Sequence, residues 1–153
     1  MMKSAIKFAI IAIAIMALPA FLNAQCTGKC DGTCLKTEAE AFVKSVPQNN
    51  MYLLSIEDLA TMVDEGRTDF VVLDIRPPKQ YESGHIRGAM NVPLPMIVNK
   101  LDSIPSDKKI AVVCSFDTNS AFAVAVLRMN GRDAWIVEGG VYAWEGLDRK
   151  LVN

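Results

Sequence analysis

Two short stretches with almost no polar interruption, DFVVLDI at residues 69–75 and IAVV at 110–113, constrain the fold of this chain more than any other feature. A strand with one wet face alternates polar and apolar residues, whereas one that stays apolar throughout is buried on both faces, as parallel strands between helical layers are. Parallel neighbours need a crossover connection, usually a helix. Helix-period segments do separate these strands. Ile56, Leu59, Ala60 and Val63 recur at helical spacing, with Ser55 and Asp58 as a capping signal and Gly66 as the stop, so residues 56–65 are expected to be a helix. After Pro77-Pro78, Gln80 to Ser83 suit a single helical turn and Met90 to Val92 a short strand; Met96 to Ser103 read as a helix with Ile97, Val98 and Leu101 inward. Ser120 to Met129 form a further helix closed at Asn130-Gly131, Ala134 to Val137 a strand, and Gly139-Gly140 a turn into a last helix around Val141 to Leu147. Trp135 and Trp144 read as core. The pattern is that of an α/β domain, a mainly parallel sheet with helices on both faces, spanning residues 51–150.

In such sheets chemistry collects beyond the carboxyl ends of the strands. Asp74 and Cys114 both stand at such ends. Around Cys114 the sequence VVCSFDTNS runs from strand through a polar loop into a helix. Unpaired N–H groups at the start of a helix stabilise an anion, and a thiolate is one, so Cys114 is a candidate nucleophile with a pKa pulled below the ordinary thiol value. The plainer alternative is a buried cysteine acting as a small hydrophobe at a strand end.

The first 24 residues read as a secretory signal: Met1 to Lys7 holds two lysines and no acid, Phe8 to Leu18 is an apolar run, and Pro19 to Ala24 ends in a small residue, with cleavage expected after Ala24. An uncleaved membrane anchor is the rival reading; the run is shorter than the ~20 residues a span needs. Gln25 before Cys26 argues against a lipoprotein signal. Without residues 1–24 the chain holds 14 basic and 17 acidic residues, a formal charge of −3, with no basic patch to suggest nucleic acid. The expected location is therefore periplasmic or secreted, with membrane contact only if the signal stays uncut.

Residues 25–50 are expected to be a flexible, cysteine-containing segment and linker. Cys26, Cys30 and Cys34 lie four apart with Gly28 and Gly32 between them, which disfavours a helix, and residues 37–50 suit a short helical turn followed by a polar linker. Three readings of the trio stand: one disulfide with a leftover thiol, a metal site short of a fourth ligand, or a thiol that exchanges with Cys114.

Three groups of residues line up with a known family. VVLDIRPPKQYESGHIRGAMNVP, residues 71–93, resembles the first signature of the rhodanese-like sulfurtransferases; VEGGVYAWEGL, residues 137–147, is similar to their closing Gly-Gly and Ala-Trp element; and Cys114 falls where their persulfide-forming cysteine falls. The resemblance covers about residues 51–148. It implies a three-layer rhodanese-like fold with a five-stranded parallel sheet, attack of the Cys114 thiolate on the outer sulfur of a donor, and onward transfer to a thiol or a protein thiol, with no metal and no organic cofactor. The anion-binding loop would be Ser115, Phe116, Asp117, Thr118, Asn119 and Ser120, with Asp74, Arg76 and His85 in support. A loop of six residues before Ser120 is similar to sulfurtransferases; the related phosphatases use one more.

The loop also departs from the family pattern. Glycine is usual at its fourth position and a cation at the fifth or sixth, where this chain has Asp117, Thr118 and Asn119. Asp117 would be tolerated in a left-handed conformation. A carboxylate about 5 Å from the thiolate at an effective dielectric near 20 would cost on the order of 3 kcal/mol before screening. Asp74 and Arg76 are expected to knit the rim, His85 and Arg87 to order a turn, Ser115 and Thr118 to hydrogen-bond a persulfide, and Phe116 to shield it. The alternative is a catalytically weak or inactive binding or redox-sensing module that works through Cys26, Cys30 and Cys34.

Overall fold

A computed structural model describes residues 33–153; the expectations for the signal segment, Cys26 and Cys30 lie outside the described residues. The order of elements is α1 (Thr33–Ser45), β1 (Leu53–Leu54), α2 (Ile56–Asp64), β2 (Phe70–Asp74), α3 (Pro78–Glu82), β3 (Met90–Asn91), two 3-10 turns (Leu94–Met96 and Val98–Ser103), β4 (Lys109–Val113), α4 (Thr118–Met129), β5 (Ala134–Val137) and α5 (Gly140–Gly146). The five strands form one parallel sheet in the order β1-β5-β4-β2-β3. The expected α/β architecture and sheet are what the chain forms.

The pleat of β4 sorts its residues between two cores. Ile110, Val112 and Cys114 belong to a cluster with Leu73, Ile75, Ala123, Val124 and Leu127, while Ala111 and Val113 belong to a second with Val72, Leu59, Ile86 and Trp144. Each large aliphatic side chain fully buried this way stabilises the fold by roughly 1.5–3 kcal/mol. This two-sided burial is why β2 and β4 show no alternation in sequence. Ser55 caps α2 as expected, its hydroxyl accepting from Asp58 N–H at 3.1 Å.

Four local expectations are corrected. Helix α1 runs from Thr33 to Ser45, so Cys34 stands in a helical first turn and only the residues after Ser45 connect loosely. Its anchor is Tyr52, whose ring stacks with Phe42 and whose hydroxyl donates to the Ser45 carbonyl at 2.6 Å. The stretch expected to be one helix over Met96 to Ser103 is two 3-10 turns; Ile97, Leu101 and Ile104 pack inward, but Val98 is 64% exposed because it sits one step round from Ile97. Trp144 is core, whereas Trp135 is only half-buried, with Lys109 over its ring at 4.1 Å. Strand β1, only two residues long, is too short to show a periodic pattern and is an addition to the expected elements. Among the described residues no helix is long and apolar enough to cross a membrane.

Gly139 and Gly140 turn the chain from β5 into α5 with φ of 65° and 57°. A Cβ on Gly140 would lie 2.3 Å from the Cys114 carbonyl oxygen. Gly140→Ala is expected to lower stability by about 3 kcal/mol or more in a denaturant titration, since it combines strain with a backbone clash.

Candidate functional site

The site stands where β2, β4 and β5 end together. Asp74 pairs in register with Val113, which places the two strand ends side by side. Asp74 is fully buried and Arg76 only 6% exposed. Arg76 Nε bonds both carboxylate oxygens at 3.0 Å and Nη2 one of them at 2.6 Å, while Nη2 also donates to the Gly84 carbonyl at 2.7 Å. The Asn91 amide then ties the Asp74 and Arg76 carbonyls. Both carboxylate oxygens of the buried pair are bonded, and these bonds tie the chain after β2 to the turn at Gly84. His85 orders its turn in the same spirit: its ring stacks on Tyr81 at 3.9 Å, Nδ1 lies 3.1 Å from the Tyr81 carbonyl, and its backbone bridges Val152. Burial first, and then the negative charge of Asp74, raise the Tyr81 phenol above its ordinary pKa, consistent with its role as a donor to the Ala89 carbonyl.

Cys114 is a free thiol, 8% exposed, at the end of β4. Helix α4 starts at Thr118, two residues earlier than expected, so the loop proper is Ser115 to Asp117, and Thr118, Asn119 and Ser120 form the first turn of the helix. Among the described residues, none of the backbone N–H groups from Ser115 to Ser120 has a protein partner. Asp117 occupies the N-cap position, yet its side chain caps nothing. Had it done so, the carboxylate would occupy donors that an anion could otherwise use. Asp117 adopts a right-handed conformation, φ −80° and ψ −24°, in place of the left-handed one expected, and its side chain is exposed, where solvent screens its charge.

Two side chains add to this ring of donors. Asn119 Nδ2 donates to Cys114 Sγ over 3.8 Å. Ser120 is fully buried and its hydroxyl has no partner. A buried unpaired hydroxyl costs about 1–3 kcal/mol, and this one stands in the first turn of α4, six residues after Cys114. Ser115 reaches Gln80 only loosely, at 3.5 Å. Phe116, 62% exposed, leans on Tyr142 with ring centroids 4.7 Å apart.

The far side of the loop is held by α5. Val141 N–H donates to the Cys114 carbonyl at 2.8 Å and Tyr142 N–H to the Ser115 carbonyl at 3.3 Å. With both carbonyls turned away towards α5, the loop N–H groups are left to the opposite side. Tyr142 and Glu145 were missed at the sequence level because only the fold brings α5 to the loop; the Gly-Gly step was the available signal. Among the described residues, no group of three or more His, Cys, Asp or Glu side chains is placed to hold a metal ion.

A family model described as the rhodanese-like domain matches residues 55–147. This chain belongs to the rhodanese-like domain family. Among its rhodanese-like relatives, it is 31% identical over 93 residues to the thiosulfate sulfurtransferase GlpE of Pseudoalteromonas translucida, covering 60% of this chain and 87% of that one. It is 34% identical over 76 residues to the YqhL protein of Bacillus subtilis, covering 49% of this chain and 60% of that one, so the match spans less than two thirds of YqhL. The crystal structure of a rhodanese-related protein from Thermoplasma volcanium superposes with a TM-score of 0.60 at 30% identity, over 65% of this chain and 96% of that one.

Asn119→Ala removes one long hydrogen bond to sulfur, worth about 1 kcal/mol. Alkylation of Cys114 by iodoacetamide at neutral pH is expected to slow about fivefold on that basis. Asp117→Asn, at an exposed position, is expected to change that rate by no more than about twofold.

Proposed function

We propose that this chain is an exported sulfurtransferase or sulfane-sulfur carrier that forms a persulfide on Cys114. The observation that carries the proposal is the free thiol of Cys114 standing in front of unpaired loop N–H groups, with the Asn119 amide on its sulfur. Family membership and a relative named as a thiosulfate sulfurtransferase support the reaction class. Export is supported by the lysine-bearing start, the apolar run and the small residue at position 24.

In the proposed reaction the Cys114 thiolate attacks the outer sulfur of a donor. The new Sγ–S bond forms as the donor's own bond to that sulfur breaks, and the leaving group departs with the electron pair. An acceptor thiolate then takes the sulfur by the same displacement, which restores Cys114. The loop N–H groups and the Ser120 hydroxyl hold the negative charge in both states, a preorganised stabilisation that needs no further group. The loop offers no cation, and Asp117 adds an acid near its mouth. A thiosulfate dianion therefore lacks the charge-assisted clamp that arginine would give it. Thiol-based persulfide donors, including a persulfide on a protein cysteine, suit this site better.

Mass spectrometry of the protein after incubation with inorganic polysulfide or thiosulfate tests the reading. Addition of one sulfur atom to Cys114 from at least one donor, and its loss in Cys114→Ser, is the expected result. Sulfur transfer at full rate by Cys114→Ser, or no added sulfur with either donor, contradicts it. Exported protein is expected to begin at Gln25 on N-terminal sequencing; a retained Met1 would overturn the cleavage.

A further inference from the structure

Beside the loop lies a cavity of about 340 Å³ that the sulfur chemistry above does not use. It is bounded by Arg76 after β2, Gln80 of α3 and Ser83 just after it, Ser115 next to the nucleophile, and Tyr142 and Glu145 of α5. Consecutive Cα atoms are about 3.8 Å apart, so its wall at Ser115 is one residue from Cys114.

Arg76 makes this cavity specific. Its Nε and Nη2 are taken by Asp74 and Gly84, but Nη1 makes no hydrogen bond within the protein. Nor is Nη1 sealed from solvent: among the described residues the only sealed, unpartnered side-chain atoms are Ser120 Oγ and Arg132 Nε. A guanidinium more than nine-tenths buried thus keeps one donor without a protein partner, and Arg76 is among the residues that line this cavity. Because Asp74 already balances its charge, the free Nη1 suits a single carboxylate better than a dianion. Glu145 borders the same cavity, exposed and without an ion pair among the described residues, and suits an ammonium group. Gln80 and Ser115, 3.5 Å apart through their side chains, add neutral hydrogen-bonding groups to the same lining.

A carboxylate acceptor for one end and a guanidinium donor for the other match a zwitterion. We propose that the cavity is a recognition subsite for a low-molecular-weight thiol of amino-acid type, entering as its persulfide, with its carboxylate on Arg76 Nη1 and its ammonium on Glu145. The inference rests on the sulfur-transfer reading of Cys114 and names the donor class for it. The step balances as Cys–S⁻ + HS–SR → Cys–S–SH + RS⁻: the Sγ–S bond forms, the donor's S–S bond breaks, and the pair of electrons leaves on the amino-acid thiolate, which takes up a proton from water. The sulfane sulfur keeps its oxidation level, so no oxidant or reductant enters.

The test compares cysteine persulfide with an uncharged alkyl persulfide of similar length, measuring kcat/KM for sulfur loading of Cys114 in the full chain. A preference of about tenfold or more for cysteine persulfide is expected, the equivalent of about 1.4 kcal/mol. Glu145→Gln, at an exposed position, is expected to reduce that preference through KM for cysteine persulfide, with kcat changing by no more than about twofold. Equal kcat/KM for the two donors, or a preference untouched by Glu145→Gln, overturns the subsite while leaving sulfur transfer at Cys114 standing. Absence of loading from both donors overturns the transfer reading and the subsite with it.

Discussion

Two backbone hydrogen bonds hold the loop that everything else depends on. By accepting from Val141 and Tyr142, the carbonyls of Cys114 and Ser115 are turned towards α5, and the N–H groups that follow are freed for an anion. That close approach is possible only because residue 140 has no Cβ and takes a positive φ. On the neighbouring strand β2 the buried Asp74–Arg76 pair has the matching role, fixing the chain after the strand so that the rim keeps its shape. Such a pair contributes little net stability against a hydrophobic replacement, but removal of either residue would leave an uncompensated charge in the interior.

Electrostatically the site is lean. No cation stands in the loop; its backbone N–H groups are without protein partners, and the Asn119 amide donates to the sulfur. Partial charges of this kind stabilise a compact anion at short range and discriminate against a dianion that needs full compensation. Asp117 does less harm than its position in sequence suggests, because it is turned to water and does not cap the helix. Arg76 at the rim is already neutralised by Asp74, which leaves a directional donor at Nη1 more than a net charge.

Much of the fold was legible in the chain because its physics is local or periodic. The unbroken apolar runs of β2 and β4 announce burial on both faces, and Ser55 with Gly66 mark the ends of α2. Asp74 and Cys114 at the ends of adjacent strands follow from the parallel arrangement alone. What escaped the sequence depends on distant contacts. The polar, charged pattern of α1 resembles a linker until Tyr52, held at φ 62°, folds back onto Phe42 and Ser45. Most helical stability in proteins comes from such packing and little from propensity. Likewise, α4 begins at Thr118, two residues before the expected start, and Thr118 and Asn119 do not signal it themselves. The roles of Tyr142 and Glu145 exist only once α5 lies against the loop.

The central claim is that the loop donors, together with the Ser120 hydroxyl, are kept unpaired for a sulfur anion on Cys114. A crystal structure of the protein after treatment with inorganic polysulfide tests this most directly. The account predicts an extra sulfur bonded to Cys114 Sγ, enclosed by the N–H groups of Ser115 to Ser120, with Ser120 Oγ donating to one of the two sulfurs. A persulfide directed away from those groups, or a loop whose N–H groups remain unpaired beside the loaded cysteine, would contradict it.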